Sequence, residues 1–149
     1  YIARDDMLHF KIMKTLSMNV NKGVDEEIGL PPIAYTEKNV CSYTAIHREL
    51  VNIPDVYASD KFDFSGPKKY DSLTGYHTKS MLVIPMEDAE GKVIGVIQLI
   101  NKIGPTGSII SFTDEDAFIL RSLGSMAAVS LSNMIYLEDI KHHVNCSQI

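Results

Sequence analysis

Two adjacent runs of strand character limit what this chain can fold into more than any other feature. Met81 to Met86 and Val93 to Ile100 are rich in branched apolar residues, and Asp88, Ala89, Glu90 and Gly91 between them carry turn chemistry. The segment therefore predicts an antiparallel β-hairpin. Just ahead of it stands a polar cluster, Thr74, Gly75, Tyr76, His77, Thr78 and Lys79. It supplies hydroxyls, an imidazole and an ammonium where a helix hands over to the first strand, a place where a ligand can be gripped.

With 149 residues and 45% hydrophobic content, the chain can bury one core, and a single soluble domain is expected. Fourteen basic residues against nineteen acidic ones give a net charge of -5. The basic residues are scattered, so counterion release on a phosphate backbone has no footprint and nucleic acid is not expected as a partner. The longest apolar runs are strand-length, short of the roughly 20 residues of a membrane helix, so no membrane anchor is expected. The two cysteines, Cys41 and Cys146, make neither a zinc knuckle nor a disulfide framework, which fits a reducing cytoplasmic setting. No signal peptide is recognised at the N-terminus.

Along the chain, Tyr1, Ile2 and Ala3 read as the end of a strand that turns at Arg4, Asp5 and Asp6 into a second strand from Leu8 to Leu16. A polar excursion, Asn19 to Glu27, and the prolines 31 and 32 follow. Asn39 is the expected N-cap of a short helix through Val40, Tyr43, Thr44 and His47, and Leu50 to Ile53 the next strand. Pro54 opens a turn, after which Asp60, Phe62, Asp63 and Phe64 alternate acid with aromatic in a lid or pocket wall. Gly66 and Pro67 start a helix that Gly75 closes. Thr113, followed by Asp114, Glu115 and Asp116, caps a long helix whose apolar stripe is expected to meet the sheet near Phe118 and Leu123 and to fade at about Lys141. Hairpin-joined strands, two short helices and one long helix predict an α+β domain built on a central antiparallel sheet.

Several of these residues carry a family resemblance. Asp71, Thr74, Gly75, Tyr76, Thr78, the hairpin and the run to Lys102 resemble the C-terminal half of a GAF domain, in particular the regulatory GAF domains of cyclic-nucleotide phosphodiesterases. Asn52 to Tyr57 resembles that family's NIPDAY segment. Asn101, Lys102, Phe112 and Asp116 fit its NK, F, D signature, with Ala117 in place of the final acidic residue. The resemblance implies a PAS-like GAF fold over residues 1–141, lacking an N-terminal helix and part of the first strand, with residues 142–149 opening a linker to an effector domain of the same full-length protein. It also implies an ion pair between Lys102 and Asp116 that fixes the fold.

The same resemblance implies a small-molecule ligand, foremost a cyclic nucleotide, cyclic AMP or cyclic GMP. Asp71, Thr74 and Thr78 then approach the ligand, the hydroxyls bonding phosphate or base and the carboxylate an N–H edge. Val40 and Cys41 fall at the helix start whose backbone N–H groups face the cyclic phosphate. Gln98 stands where a phosphodiesterase GAF domain carries Glu, and Ile12 or Met13 where binding members stack an aromatic on the base.

Catalysis is not expected, because Asp60, Asp63 and Asp71 form no paired-carboxylate site and no nucleophile arrangement or phosphate loop is present. His77 reads as a polar residue at the start of a strand, not as a metal ligand. Val129, Asn133, Tyr136 and Ile140 extend the helical stripe beyond what a small sheet covers, so a homodimer through this helix is expected. The alternative function is a ligand-free dimerisation module.

Overall fold

The computed structural model describes residues 1–9, 13–15, 20–22 and 31–146. Strands β1 (Ile2–Arg4) and β2 (Met7–His9) form a tight hairpin, and β3 (Met13–Thr15) and β4 (Val20–Lys22) a separate ribbon. Then come β5 (Ile33–Ala34), α1 (Val40–His47), β6 (Val51–Ile53) and α2 (Ser65–Thr74). The predicted hairpin is β7 (Met81–Glu87) and β8 (Val93–Ile100). A small ribbon, β9 (Lys102–Ile103) with β10 (Ile109–Ile110), leads into α3 (Asp114–Cys146).

Six strands make one antiparallel sheet in the order β5-β2-β1-β8-β7-β6, confirming the expected α+β architecture. The β7–β8 turn closes as its residues dictate. Asp88 accepts the N–H groups of Glu90 and Lys92 on Oδ1 at 3.0 and 2.9 Å, and a bulge at Met86/Glu87 takes up the twist. Asn39 caps α1 through Oδ1, and Gly75, at φ +73°, ends α2 with its N–H on the Asp71 carbonyl at 2.8 Å.

Alternation along β7 sorts the core into two layers. Met81 and Val83 face α1 and the 54–64 segment, packing with Val40, Cys41, Val56, Phe62 and Phe64. Leu82 and Ile84 face α3, where they meet Ala117 and Leu120, and Met86 packs with Ala128.

Three expectations need correction. The single strand from Leu8 to Leu16 is two: β2 joins the main sheet and β3 the ribbon, while residues 10–12 and 16 lie outside the described residues. Of the polar excursion, Val20–Lys22 is a strand and residues 23–30 are outside the described residues. Phe118 and Leu123 do not face the sheet; they are 72% and 55% exposed. Ala117, Leu120, Gly124 and Ala128 meet it instead. A Cβ on Gly124 would stand 2.7 Å from Ile84 Cδ1, so the helix approaches through small residues that a search for large apolar ones passes over.

The helix continues past the point where its stripe is expected to fade, to Cys146, because His142, His143 and Asn145 are polar without being helix breakers. Its apolar residues form no long continuous run, yet averaged over a window they make α3 long and apolar enough, by length and composition, to cross a membrane.

Candidate functional site

Asp71 is the buried polar centre of the α1 side. It stands in the last turn of α2 and is 5% exposed. Its Oδ2 accepts the Thr78 N–H at 2.8 Å and the Tyr57 hydroxyl at 2.9 Å, and its Oδ1 accepts the Thr78 hydroxyl at 2.9 Å. Tyr57 stacks on the His77 ring at 4.6 Å, and the Lys68 ammonium lies over the Tyr57 ring at 5.2 Å from its centre. The bond to Asp71 holds the Tyr57 phenol above its ordinary pKa. One carboxylate thereby ties α2, the turn after β6 and the approach to β7.

Thr78 is positioned in turn by Asn101, which follows β8 in the left-handed region at φ +59°. The Asn101 amide donates to the His77 carbonyl and its Oδ1 accepts the Lys79 N–H, both at 2.7 Å. One residue on, the Lys102 ammonium reaches Asp116 Oδ2 in the first turn of α3. Asp116 also accepts the Thr113 N–H at 2.6 Å while the Thr113 hydroxyl accepts the Asp116 N–H at 3.2 Å, a reciprocal cap with Asp in the place of Glu. The lysine and the cap together hold the Asp116 carboxyl below its usual range. Phe112 packs with Leu82 and Ile84, and its carbonyl accepts the Asn52 amide at 3.0 Å.

Gln98 pairs with Val83 across the hairpin and so points to the α1 side of the sheet. Its Nε2 donates to Met81 Sδ at 3.1 Å, a weak acceptor. At the start of α1, Val40 and Cys41 are buried, and Asn39 Oδ1 takes the Cys41 and Ser42 N–H groups at 2.9 and 3.1 Å. Burial pushes the Cys41 thiol up to about 12, so it carries no thiolate at neutral pH.

Asp71 and Thr78 are thus in direct contact, with Asn101 gripping the residues on either side of Thr78. Thr74 stands apart at the exposed end of α2, donating to the Tyr70 carbonyl at 2.8 Å and accepting the Tyr76 N–H at 3.3 Å. Met13 lies in the β3–β4 ribbon, and Ile12 falls outside the described residues. Two residues escaped the sequence reading. Tyr57 closes the Asp71 cluster from 14 positions away, and Thr44 is fully buried with its hydroxyl unpartnered among the described residues. An exposed-looking tyrosine and a lone helical threonine give no signal of either role.

A cavity of about 690 Å³ opens on another part of the molecule, between the β1–β2 hairpin and the second half of α3, and includes none of these residues. No group of His, Cys, Asp and Glu among the described residues is arranged to hold a metal ion.

Comparison with known proteins agrees with this fold. The family model described as GAF domain matches residues 9–131. The dual 3′,5′-cyclic-AMP and -GMP phosphodiesterase 11A of Takifugu rubripes is 38% identical over 96 residues, 64% of this chain and 10% of the relative. The dual 3′,5′-cyclic-AMP and -GMP phosphodiesterase 11 of Drosophila melanogaster is 43% identical over 79 residues, 53% of this chain and 5% of the relative. The chain spans a tenth or less of the length of these two relatives. Among solved structures, residues 122 to 287 of a methyl-accepting chemotaxis protein superpose with a TM-score of 0.53 at 23% identity, over 76% of this chain and 65% of that one, a likeness of fold.

Proposed function

Because the chain belongs to the GAF domain family, a family of regulatory modules of signalling proteins, we propose that it senses a cyclic nucleotide, cyclic AMP or cyclic GMP, in the cytoplasm. The signal then passes through α3 to an effector domain of the same full-length protein. The observation that carries this reading is Gln98. Its amide lies on the sheet face under α1, and among the described residues its hydrogen bond goes to a thioether. Exchange of that bond for a base edge, which offers both a donor and an acceptor, is favourable. Asp71 and Thr78 are buried next to the start of β7, and an anionic group at the N-terminal turn of α1 would take the place of the Asn39 side chain that now caps Cys41 and Ser42.

The test is a thermal-shift series with cyclic AMP and cyclic GMP on the wild-type chain, the Gln98→Ala variant and a Thr74→Ala/Thr78→Ala double variant. A nucleotide-dependent rise in melting temperature that both variants lose supports the reading; no rise with either nucleotide overturns it.

The second reading is a ligand-free dimerisation module. The exposed apolar stripe of α3 favours it, and concentration-dependent dimer formation without any nucleotide response would establish it.

A further inference from the structure

The cavity of about 690 Å³ lies across the sheet from Gln98 and α1, and its size falls within the roughly 300–1,000 Å³ of small-molecule sites. The pleat explains its lining. Ala3 and Leu8, paired across the β1–β2 hairpin, pack into the core on the α1 side, so Ile2, Arg4 and His9 turn towards α3. Facing them, Leu131, Met134, Ile135, Glu138 and Asp139 recur at helical spacing on one face of α3. Leu131 still packs with the core, whereas Met134 and Ile135 are 50% and 39% exposed over the gap.

The walls divide by chemistry. Ile2, Ile94, Leu131, Met134 and Ile135 make an apolar middle. At one end the carboxylates of Asp5, Asp6, Glu138 and Asp139 outnumber the cations of Arg4 and Lys92, and Arg4 already lies 4.0 Å from Asp5. An anion is disfavoured there and a cation favoured. Towards the other end stands His9, whose Nε2 is buried and, among the described residues, has no hydrogen-bond partner. A ligand atom that pairs with such a nitrogen relieves a cost the fold otherwise carries.

We infer that this cavity binds an organic ammonium ion whose apolar body carries a hydrogen-bonding group at its far end. The ammonium sits among the four carboxylates, the body on Ile2, Ile94, Leu131 and Ile135, and the far group on His9 Nε2. In β2 and the turn before it, His9 and Asp6 are three residues apart, about 10 Å at the rise of a strand, a span that a phenolic alkylamine matches. The site uses neither Gln98 nor α1, so it stands apart from the sensing reading.

The experiment is an amide chemical-shift titration of the full 149-residue chain with 4-hydroxyphenethylamine, phenethylamine and 3-(4-hydroxyphenyl)propionate. The first should bind and shift amides in residues 2–6, 92–94 and 131–139. Phenethylamine, with nothing to offer His9, should bind several-fold more weakly, and the propionate, an anion, should not bind. The paired exposed changes Glu138→Gln/Asp139→Asn should weaken the amines by about tenfold, as should added salt on the wild type. His9→Phe should erase the difference between the two amines, and its amide spectrum reports whether it is folded.

Equal binding of the propionate overturns the preference for a cation. A difference between the amines that survives in His9→Phe overturns the role of His9, and shifts confined to α1 and Gln98 overturn the location. Shifts that follow protein concentration and not amine make a second copy the occupant and overturn the small molecule. No response to any probe at millimolar concentration overturns the site. In that event a response to cyclic AMP or cyclic GMP on the α1 side leaves the sensing reading standing, and an amine response without a nucleotide response does the reverse.

Discussion

Thr78 holds both carboxylate oxygens of Asp71, its backbone N–H donating to Oδ2 at 2.8 Å and its hydroxyl to Oδ1 at 2.9 Å. Both residues are buried, so removing the hydroxyl strands an acceptor. Thr78→Val should lower stability by about 1–3 kcal/mol, and Thr78→Ser, which keeps the donor, by clearly less. Urea unfolding of the two variants checks this; equal midpoints would show that the hydroxyl contributes nothing.

Asn101 combines a left-handed backbone with two side-chain bonds to the main chain at 2.7 Å. Asn101→Gly relieves the backbone but loses both bonds, whereas Asn101→Ala loses the bonds and keeps the strain. The expected order of stability is wild type, then Gly, then Ala, with the last down by about 2 kcal/mol or more. Amide exchange at Lys79 should quicken in both variants.

The Lys102–Asp116 pair gives the attachment of α3 a pH dependence of known sign. The folded pKa of Asp116 is depressed, so between it and the unfolded value near 4 the unfolded chain binds more protons. The stabilisation is complete above the unfolded value and is lost as pH falls through the folded one. Asp116→Asn should therefore melt below wild type at pH 7, and the gap should close on acidification below about pH 4. A gap that stays constant down to pH 3 would remove the ion pair from the explanation.

Gly95 lies where β1 and β8 meet, and a Cβ there would stand 2.4 Å from the Tyr1 carbonyl oxygen and 2.5 Å from Met86 Cε. The methionine can move, but the backbone cannot without parting the strands. Gly95→Ala should destabilise by about 1–3 kcal/mol despite alanine's lower entropic cost. Chemical denaturation measures it, and a neutral result would mean that β1 yields easily.

Cys41 is buried and its thiol titrates far above neutrality. Its labelling by a thiol reagent in the native state should be limited by opening of the domain and accelerate sharply through the urea transition. Full labelling within seconds in native buffer would contradict that burial.

Elements set by local chemistry were legible before the structure. Asn39 announces α1, Gly75 the end of α2, and Asp88 to Gly91 the turn of the hairpin, because each acts on neighbours a few residues away. The orientation of α3 was not legible. Its two faces are both apolar, and side-chain hydrophobicity cannot distinguish Ala128 packed against a sheet from Met126 left for another partner. Of the candidate site, the meeting of Asp71 and Thr78 lies within the span of one helix end. The Tyr57 bond and the buried Thr44 hydroxyl depend on how distant segments pack, which no periodicity encodes.

Leu131 is the last described residue of α3 packed against the core, and the helix continues to Cys146. Beyond it about 22 Å of helix remains at the ordinary rise per residue, its first part facing the β1–β2 hairpin across the cavity. A tilt of about 5° at Leu131, small enough to be absorbed by sliding side chains, would swing the tip by about 2 Å on that length.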